Sequence, residues 1–249
     1  MELTLLGTGN SAGFPVYGCD CHSCETALHK GLRRTPCSAL LRFGKLNLLL
    51  DAGQTQLRER FAAGELSAIF ITHFHPDHVQ GLFEFRWGSN LQLPVYTPPD
   101  EVGCADLYKY PGILQFQALK PFKTLPLGTL QITPVPLLHS KPTYGYVFST
   151  AQQRLAYCTD TKGLPNETLA WFQQNPLDLL VIDCSFSPGS VHQGHNNLDD
   201  VINILKHLSV PRVVLTHIGH DFHIALNQNK YALPSNVHIG HDGMCLRLS

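Results

Sequence analysis

No apolar run in the 249-residue chain approaches the roughly 20 residues that a membrane helix needs. The opening MELTLLGTG has neither a basic stretch nor a sustained apolar segment, so no export signal is read there and a cytoplasmic location is expected. Net charge is nearly absent too: 18 Lys and Arg offset 19 Asp and Glu, leaving a formal −1 with no block of one sign. Nucleic acid and anionic membranes are therefore not expected as partners, and an anionic substrate would have to be drawn in by local charges. Neither a Ser/Gly linker nor an internal repeat divides the chain, which reads as a single domain over residues 1–249. A homodimer is compatible with this pattern. With 43% hydrophobic and 15% charged residues the chain can build a sizeable core, which excludes disorder.

Eight cysteines are present, but three crowd into GCDCHSC and the others are scattered, mostly through apparent strands. Without an export signal, thiols and thiolates are expected rather than disulfides.

Short β-type runs alternate with helical stretches, the pattern of a layered α/β protein. Strands are expected at Glu2 to Leu6, Ser38 to Phe43, Leu46 to Asp51, Ala68 to Thr72, Pro94 to Tyr96, Leu130 to Pro136, Gly145 to Ser149, Leu155 to Thr159, Leu179 to Asp183 and Arg212 to Thr216. Helices are expected at Gln54 to Phe61, Asp77 to Phe85, Asn166 to Gln174 and Leu198 to Leu208. Several apolar runs share one kind of ending: LLLDAG, IFITHFH, LAYCTDT, LVIDCS and VVLTHIGH each close on Asp or His. A single strand-terminal Asp is commonly a turn former or helix cap. Five such endings together point to a site gathered where strands end.

The densest of these is ITHFHPDH, residues 71 to 78. In an extended loop, His73 and His75 turn to the same side and can share a metal ion. Pro76 suits the first turn of a helix, where Asp77 and His78 would face another way and could serve a second ion. A histidine-rich polar turn is the bland alternative, but hard and borderline ligands at fixed offsets favour metal binding. Four residues cannot complete two coordination shells. His139 in PVPLLHS, Asp160 in LAYCTDT and His217 in VVLTHIGH supply the remainder, and the Asp160 carboxylate could bridge two ions roughly 3.5 to 4 Å apart. Mixed imidazole and carboxylate ligands with open positions suit Mn(2+) or Zn(2+). Lys141, two residues past His139, would place a positive charge beside such a cleft for a phosphate; a solvent-facing lysine is the alternative.

Cys19, Cys21 and Cys24 form a C-x-C-x-x-C cluster, three corners of a tetrahedral zinc site. His220 is the natural fourth ligand, with His22 and His223 as less attractive alternatives. A closed Cys3His shell has no open position, so a structural zinc is expected in the loop near 19–24, and the segment THIGH would tie it to the catalytic pair. LGTGNSAG places glycines at 7, 9 and 13, and Pro15 and Gly18 follow where a dinucleotide fold requires a helix. A nicotinamide site is rejected. The glycines are expected to bring the backbone close to the metals or to a substrate phosphate.

With H-x-H-x-D-H followed by His, Asp and His, the chain resembles the metallo-β-lactamase superfamily of αββα hydrolases over essentially its whole length. The resemblance implies one ion on His73, His75 and His139, another on Asp77, His78 and His217, and Asp160 between them. Lactamases of this fold carry cysteine at the bridging position, so Asp160 implies a phosphodiesterase or thioester-hydrolase branch. GCDCHSC, the glycine turn, H-P-D-H-V-Q-G-L and H-S-K-P-T-Y-G-Y resemble the phosphoribosyl 1,2-cyclic phosphate phosphodiesterase family of phosphonate catabolism. That resemblance implies a small anionic cyclic phosphodiester, 5-phospho-α-D-ribosyl 1,2-cyclic phosphate, opened to α-D-ribose 1,5-bisphosphate with manganese at the catalytic pair. It also implies His195 in QGHNNLDD as general acid, with His192 the competing assignment. A transfer-RNA 3′-processing endonuclease shares the ligand set, although no inserted basic arm is seen. A relative of the pyrroloquinoline quinone pathway shares the glycine-rich start and clustered cysteines. A non-enzymatic zinc-binding module would leave seven convergent ligands unused.

Overall fold

Strand β1 (Glu2–Gly7) alternates half-buried and buried side chains, with Leu3 and Leu5 fully covered. That two-residue period is what a strand with one covered face requires. In the computed structural model of the protein, which describes residues 1–248, it joins a seven-stranded sheet. The order is β14 (Cys245–Arg247), β1, β2 (Ser38–Phe43), β3 (Leu46–Leu50), β4 (Ala68–Phe70), β5 (Leu93–Thr97) and β6 (Leu114–Ala118). A second seven-stranded sheet runs β13 (Val237–Ile239), β12 (Arg212–Thr216), β11 (Leu179–Asp183), β10 (Arg154–Cys158), β9 (Tyr144–Ser149), β8 (Leu130–Pro136) and β7 (Leu125–Leu127). Each sheet follows one plan, an antiparallel half continued by a parallel half: β3 to β6 are parallel in the first, β10 to β13 in the second. LLVID of β11 is buried at all five positions, as a strand between parallel neighbours and covered on both faces must be.

Three apolar layers hold the sheets. Between them lie Leu5, Leu41, Phe70, Tyr146, Phe148 and Val181 among others. The outer face of the first sheet is covered through Leu57, Val79, Leu82 and Leu107, from α2 (Leu57–Arg60), α3 (Pro76–Val79), α4 (Leu82–Phe85) and α5 (Ala105–Lys109). The outer face of the second is covered by Phe172, Val201 and Phe222, from α6 (Asn166–Gln174), α7 (Leu198–Leu205) and α8 (His220–Asn227). The architecture is the αββα sandwich expected of the metallo-β-lactamase fold. The remaining helix, α1 (His22–Lys30), packs Cys24 and Ala27 against Phe14. Among the described residues no helix is long and apolar enough to cross a membrane.

All ten expected strands are present, within a residue or two. The four strands not anticipated are β6, β7, β13 and β14, the outermost strand on each side of the two sheets. Edge strands are short and half exposed, and their hydrophobic alternation is weak: Gln115 and the β7 proline face solvent. Three helix expectations need correction, the smallest being that α7 stops at Leu205 and not at Leu208. Residues 54 to 56 are not helical, because Gln56 takes φ 65° and only Leu57–Arg60 winds. Residues 77 to 85 form two short helices, because the Gly81 N–H donates to the Ala52 carbonyl at 2.8 Å instead of closing a helical turn. The cysteine cluster is not wholly loop, since α1 starts at His22 with Cys21 as its N-cap, and α8 begins at His220. The expectation for the glycine turn also changes. A Cβ on Gly7 would lie 2.0 Å from the Pro36 carbonyl oxygen, so this glycine admits a neighbouring backbone rather than a metal or phosphate.

Tyr146 links the inter-sheet core to the segment that enters the histidine loop. Its buried hydroxyl donates to the Ile71 carbonyl at 2.7 Å. Tyr146→Phe should cost about 1–2 kcal/mol, because a buried carbonyl loses its donor; a lowered urea midpoint with unchanged slope would report this.

Candidate metal centres

The ends of β3, β4, β8, β10, β11 and β12 converge at one edge of the sandwich and carry Asp51, His73, His139, Asp160, Asp183 and His217. Three of these depart from extended geometry just where their strands stop: Asp51, Asp160 and His217 adopt φ of 54°, 62° and 59°. A non-glycine residue held in the left-handed region costs on the order of 1 kcal/mol or more, and such strain gathers at functional sites. Here it turns each side chain out of the strand line and into a common centre.

Two ligand sets share one carboxylate. In the first, His73 Nε2 lies 2.8 Å from His75 Nδ1, and His139 Nε2 lies 3.1 Å from the same atom. Asp160 Oδ2 completes it, 3.6 Å from His73 Nε2 and 3.7 Å from His139 Nε2. The second comprises Asp77 Oδ2, His78 Nε2 and His217 Nε2, with Asp77 3.5 and 3.7 Å from the two imidazole nitrogens. Asp160 Oδ1 faces this set at 3.3 Å from His78 Nε2 and 3.4 Å from His217 Nε2. All seven candidate ligands read from the sequence thus meet, and the two oxygens of Asp160 point to different sets.

These residues fit a pair of first-row divalent ions. Ligand bonds of about 2.1 Å, at angles between square and tetrahedral, separate donor atoms by about 3.0–3.4 Å, which the observed spacings bracket. The Nε2 atoms of His78 and His217 are buried without a hydrogen-bond partner. Buried polar atoms are rarely left so, and two aimed at one centre ask for a cation.

Electrostatics agree. Burial holds the His73, His75 and His139 imidazoles below their ordinary pKa, keeping them neutral as ligands must be. Burial opposes charge on Asp160, yet the imidazoles of His217, His78 and His73 hold its carboxyl well below the usual range. His78 runs the other way: despite burial, Asp160 and Asp51 raise it well above its ordinary value. The carboxylates thus create a demand for positive charge.

A second layer of polar groups aims the ligands. Asp51 Oδ2 accepts from His78 Nδ1 at 2.9 Å, and the Thr72 amide donates to Asp51 Oδ1 at 2.8 Å. His139 Nδ1 donates to the Gly194 carbonyl at 2.9 Å. Ser185 joins His217 Nδ1 to Asp183 Oδ1 through contacts of 2.8 and 2.7 Å. Asp183 Oδ2 accepts from His195 Nδ1 at 2.8 Å, and the His195 ring stacks on His217, with centroids 4.8 Å apart. His192 instead stacks on Phe186. Asp51 and Asp183 were not assigned roles from the sequence, although their strand endings, LLLDAG and LVIDCS, carried the signal.

The cysteine cluster closes as the spacing suggested. His220 Nε2 lies 3.5 Å from Cys19 Sγ and 3.4 Å from Cys21 Sγ, and Cys24 completes the group. A zinc ion with bonds of about 2.3 Å to sulfur and 2.0 Å to nitrogen sets such edges near 3.5 Å. His220 Nδ1 is tied to Asp221 at 2.7 Å. The Cys24 amide, then His220, lowers the Cys21 thiol to about 7, whereas burial pushes Cys24 up to about 11. His223 is engaged elsewhere, accepting from Arg34 Nε at 3.0 Å, and His22 stands outside the cluster. Lys141 Nζ faces Asp100 Oδ2 at 3.8 Å.

The family described as the beta-lactamase superfamily domain matches residues 46–218. An octanoyltransferase of Porphyromonas gingivalis is 28% identical over 265 residues, covering 98% of this chain and 51% of that protein; the chain spans about half the length of that relative. The crystal structure of a new diphosphatase from the PhnP family superposes with a TM-score of 0.82 at 28% identity, covering 100% of this chain and 98% of the other. Zn(2+)-bound PqqB from Methylobacterium extorquens superposes with a TM-score of 0.77 at 20% identity over 100% of each chain, a likeness of fold.

Replacing Asp51 with Asn keeps the shape but weakens the acceptor that orients His78. Metal affinity of the second ligand set should fall by about 10–100-fold, read by competition with a chromophoric chelator; wild-type affinity would refute this role for Asp51.

Proposed function

Since the chain belongs to the beta-lactamase superfamily domain family, we propose that it is a dinuclear metal-dependent hydrolase acting on a phosphodiester. The specific reading is the opening of 5-phospho-α-D-ribosyl 1,2-cyclic phosphate to α-D-ribose 1,5-bisphosphate in phosphonate catabolism. The observation that carries it is the pairing of one shared carboxylate, Asp160, with a dyad beside it of a half-buried His195 and a buried Asp183. His73, His75 and His139 would hold one Mn(2+) or Zn(2+), Asp77, His78 and His217 the other, and Asp160 both. Divalent ions so placed lower the pKa of water and offset negative charge developing on a phosphoryl group. A structural Zn(2+) would sit on Cys19, Cys21, Cys24 and His220.

The chain's own residues supply the proton. With Nδ1 hydrogen-bonded to Asp183, His195 keeps Nε2 for the substrate. Asp183 is itself fixed by the Thr161 amide at 3.0 Å and the Ser185 hydroxyl at 2.7 Å. An alkoxide leaving from a ribose carbon is strongly basic and needs that proton, whereas a phosphate expelled from a diphosphate needs it far less. The dyad therefore favours the cyclic diester over the diphosphate chemistry named for the similar PhnP-family protein. Similarity to that protein over nearly its full length supports the same branch of the superfamily.

The test is product identification with metal-loaded protein offered 5-phosphoribosyl cyclic phosphate, a diphosphate-bridged nucleotide sugar and precursor transfer RNA. The first should turn over fastest and yield a 1,5-bisphosphate; preference for either other substrate would overturn the specific reading.

His195→Ala should lower kcat by about 10²–10⁴-fold with both metals retained; near-wild-type turnover would remove the assignment. Burial disfavours the charged ring, but the hydrogen bond to Asp183 together with the negative charges of Asp183, Asp160 and Asp77 outweighs it and raises the His195 pKa above its ordinary value. The acid form is thereby favoured, and kcat should decline as pH rises through that raised value. Asp183→Asn should move this alkaline limb to lower pH; an unmoved limb would exclude the dyad.

A further inference from the structure

Asp100 stands in the loop after β5, and only 8% of the residue is exposed. Its Oδ1 accepts the backbone N–H groups of Val102 at 3.1 Å and Gly103 at 2.8 Å. Its carbonyl accepts the Tyr108 hydroxyl at 3.0 Å. The loop therefore holds this carboxylate in one orientation, yet Oδ2 is buried without a hydrogen-bond partner. A carboxylate oxygen in that position calls for a donor or a cation close by. The cation facing it is Lys141, whose Nζ lies 3.8 Å away on a side chain 27% exposed. That separation exceeds a hydrogen bond, so the ammonium is aimed by the charge but not locked to it.

Lys141 sits at the rim of the catalytic cluster. It follows Ser140, whose hydroxyl is 3.5 Å from His75 Nε2, and its own carbonyl accepts the Thr143 hydroxyl at 2.8 Å. Two other part-buried cations are committed elsewhere. Lys162 pairs with Asp200 at 2.5 Å, and Arg34 donates to Thr8 and the Gly240 carbonyl at 2.8 and 2.6 Å. An ammonium has three donors. Asp100 can engage one, which leaves the others for an anion at the mouth.

We propose that Lys141 and Asp100 form the subsite for a phosphomonoester carried by the substrate, with Lys141 making the contact and Asp100 acting as a positioning residue. This rests on the phosphodiesterase reading above, whose substrate bears a 5-phosphate remote from the ring that opens. Lys141 bridges the buried carboxylate and the phosphate, so the dianion meets a charge already in place instead of one on a freely rotating stem.

The probe is ribose 5-phosphate as a competitive inhibitor of bis(p-nitrophenyl) phosphate hydrolysis by the metal-loaded protein. Lys141→Ala should raise its inhibition constant about tenfold or more, as expected for losing a charge-assisted hydrogen bond, and Lys141→Arg should restore part of it. Asp100→Asn should raise the constant about threefold or more, consistent with freeing a long side chain. Lys45→Ala, in the turn between β2 and β3, controls for net charge and should leave it unchanged. A pair that merely ties two loops together would lower the melting temperature in Lys141→Ala and Asp100→Asn with the inhibition constant unmoved, which overturns the subsite. A lower constant in Asp100→Asn would overturn the positioning role, because Asp100 would then only neutralise Lys141. If the wild type hydrolyses bis(p-nitrophenyl) phosphate with Lys141-dependent inhibition but leaves the cyclic phosphate intact, the substrate reading fails and the subsite stands.

Discussion

The Asp160 carboxylate is the constraint on which the site depends. One buried side chain presents Oδ2 to His73 and His139 at 3.6 and 3.7 Å and Oδ1 to His78 and His217 at 3.3 and 3.4 Å. It reaches both sets because β10 ends there in a left-handed residue, and the Thr159 hydroxyl donates to Oδ1 at 2.9 Å. So many imidazole nitrogens turned toward buried carboxylates make sense as a site for added positive charge. Those imidazoles come from β4, α3, β8 and β12, and the architecture can be understood as the means of bringing these ends together.

Support for that carboxylate is distributed across both sheets. Asp51, at the end of β3, orients His78, while Asp183, at the end of β11, orients His195 and reaches His217 through Ser185. Gly53 makes the first arrangement sterically feasible, since a Cβ there would stand 2.0 Å from the Asp77 carbonyl oxygen. The segment from His217 to His220 joins the two candidate metal centres. Its Ile218 amide donates to the Thr8 carbonyl at 2.8 Å, which anchors the N-terminal turn beside both.

Much of this was legible in the sequence because ligands are chemically distinctive and their strands are strongly apolar. ITHFHPDH announces itself by composition, and β11 and β12 by continuous β-branched and leucine runs. Edge strands such as β7 and β14 carry too few covered positions to stand out. The break at Gly81 depends on a hydrogen bond to Ala52, nearly thirty residues away, which no local pattern encodes. Asp51 and Asp183 were visible as strand endings, but their role depends on which imidazole nitrogen they face, a matter of tertiary geometry. Asp100 was silent for the same reason: only the packing of its loop shows a carboxylate oxygen buried beside a lysine.

The central claim is that one carboxylate joins two cations. Anomalous diffraction from crystals grown with manganese and zinc measures this directly. The account predicts two peaks about 3.5–4 Å apart on either side of Asp160, with a separate zinc peak among Cys19, Cys21, Cys24 and His220. A single peak at the histidine cluster, or a pair not in contact with both Asp160 oxygens, would contradict it.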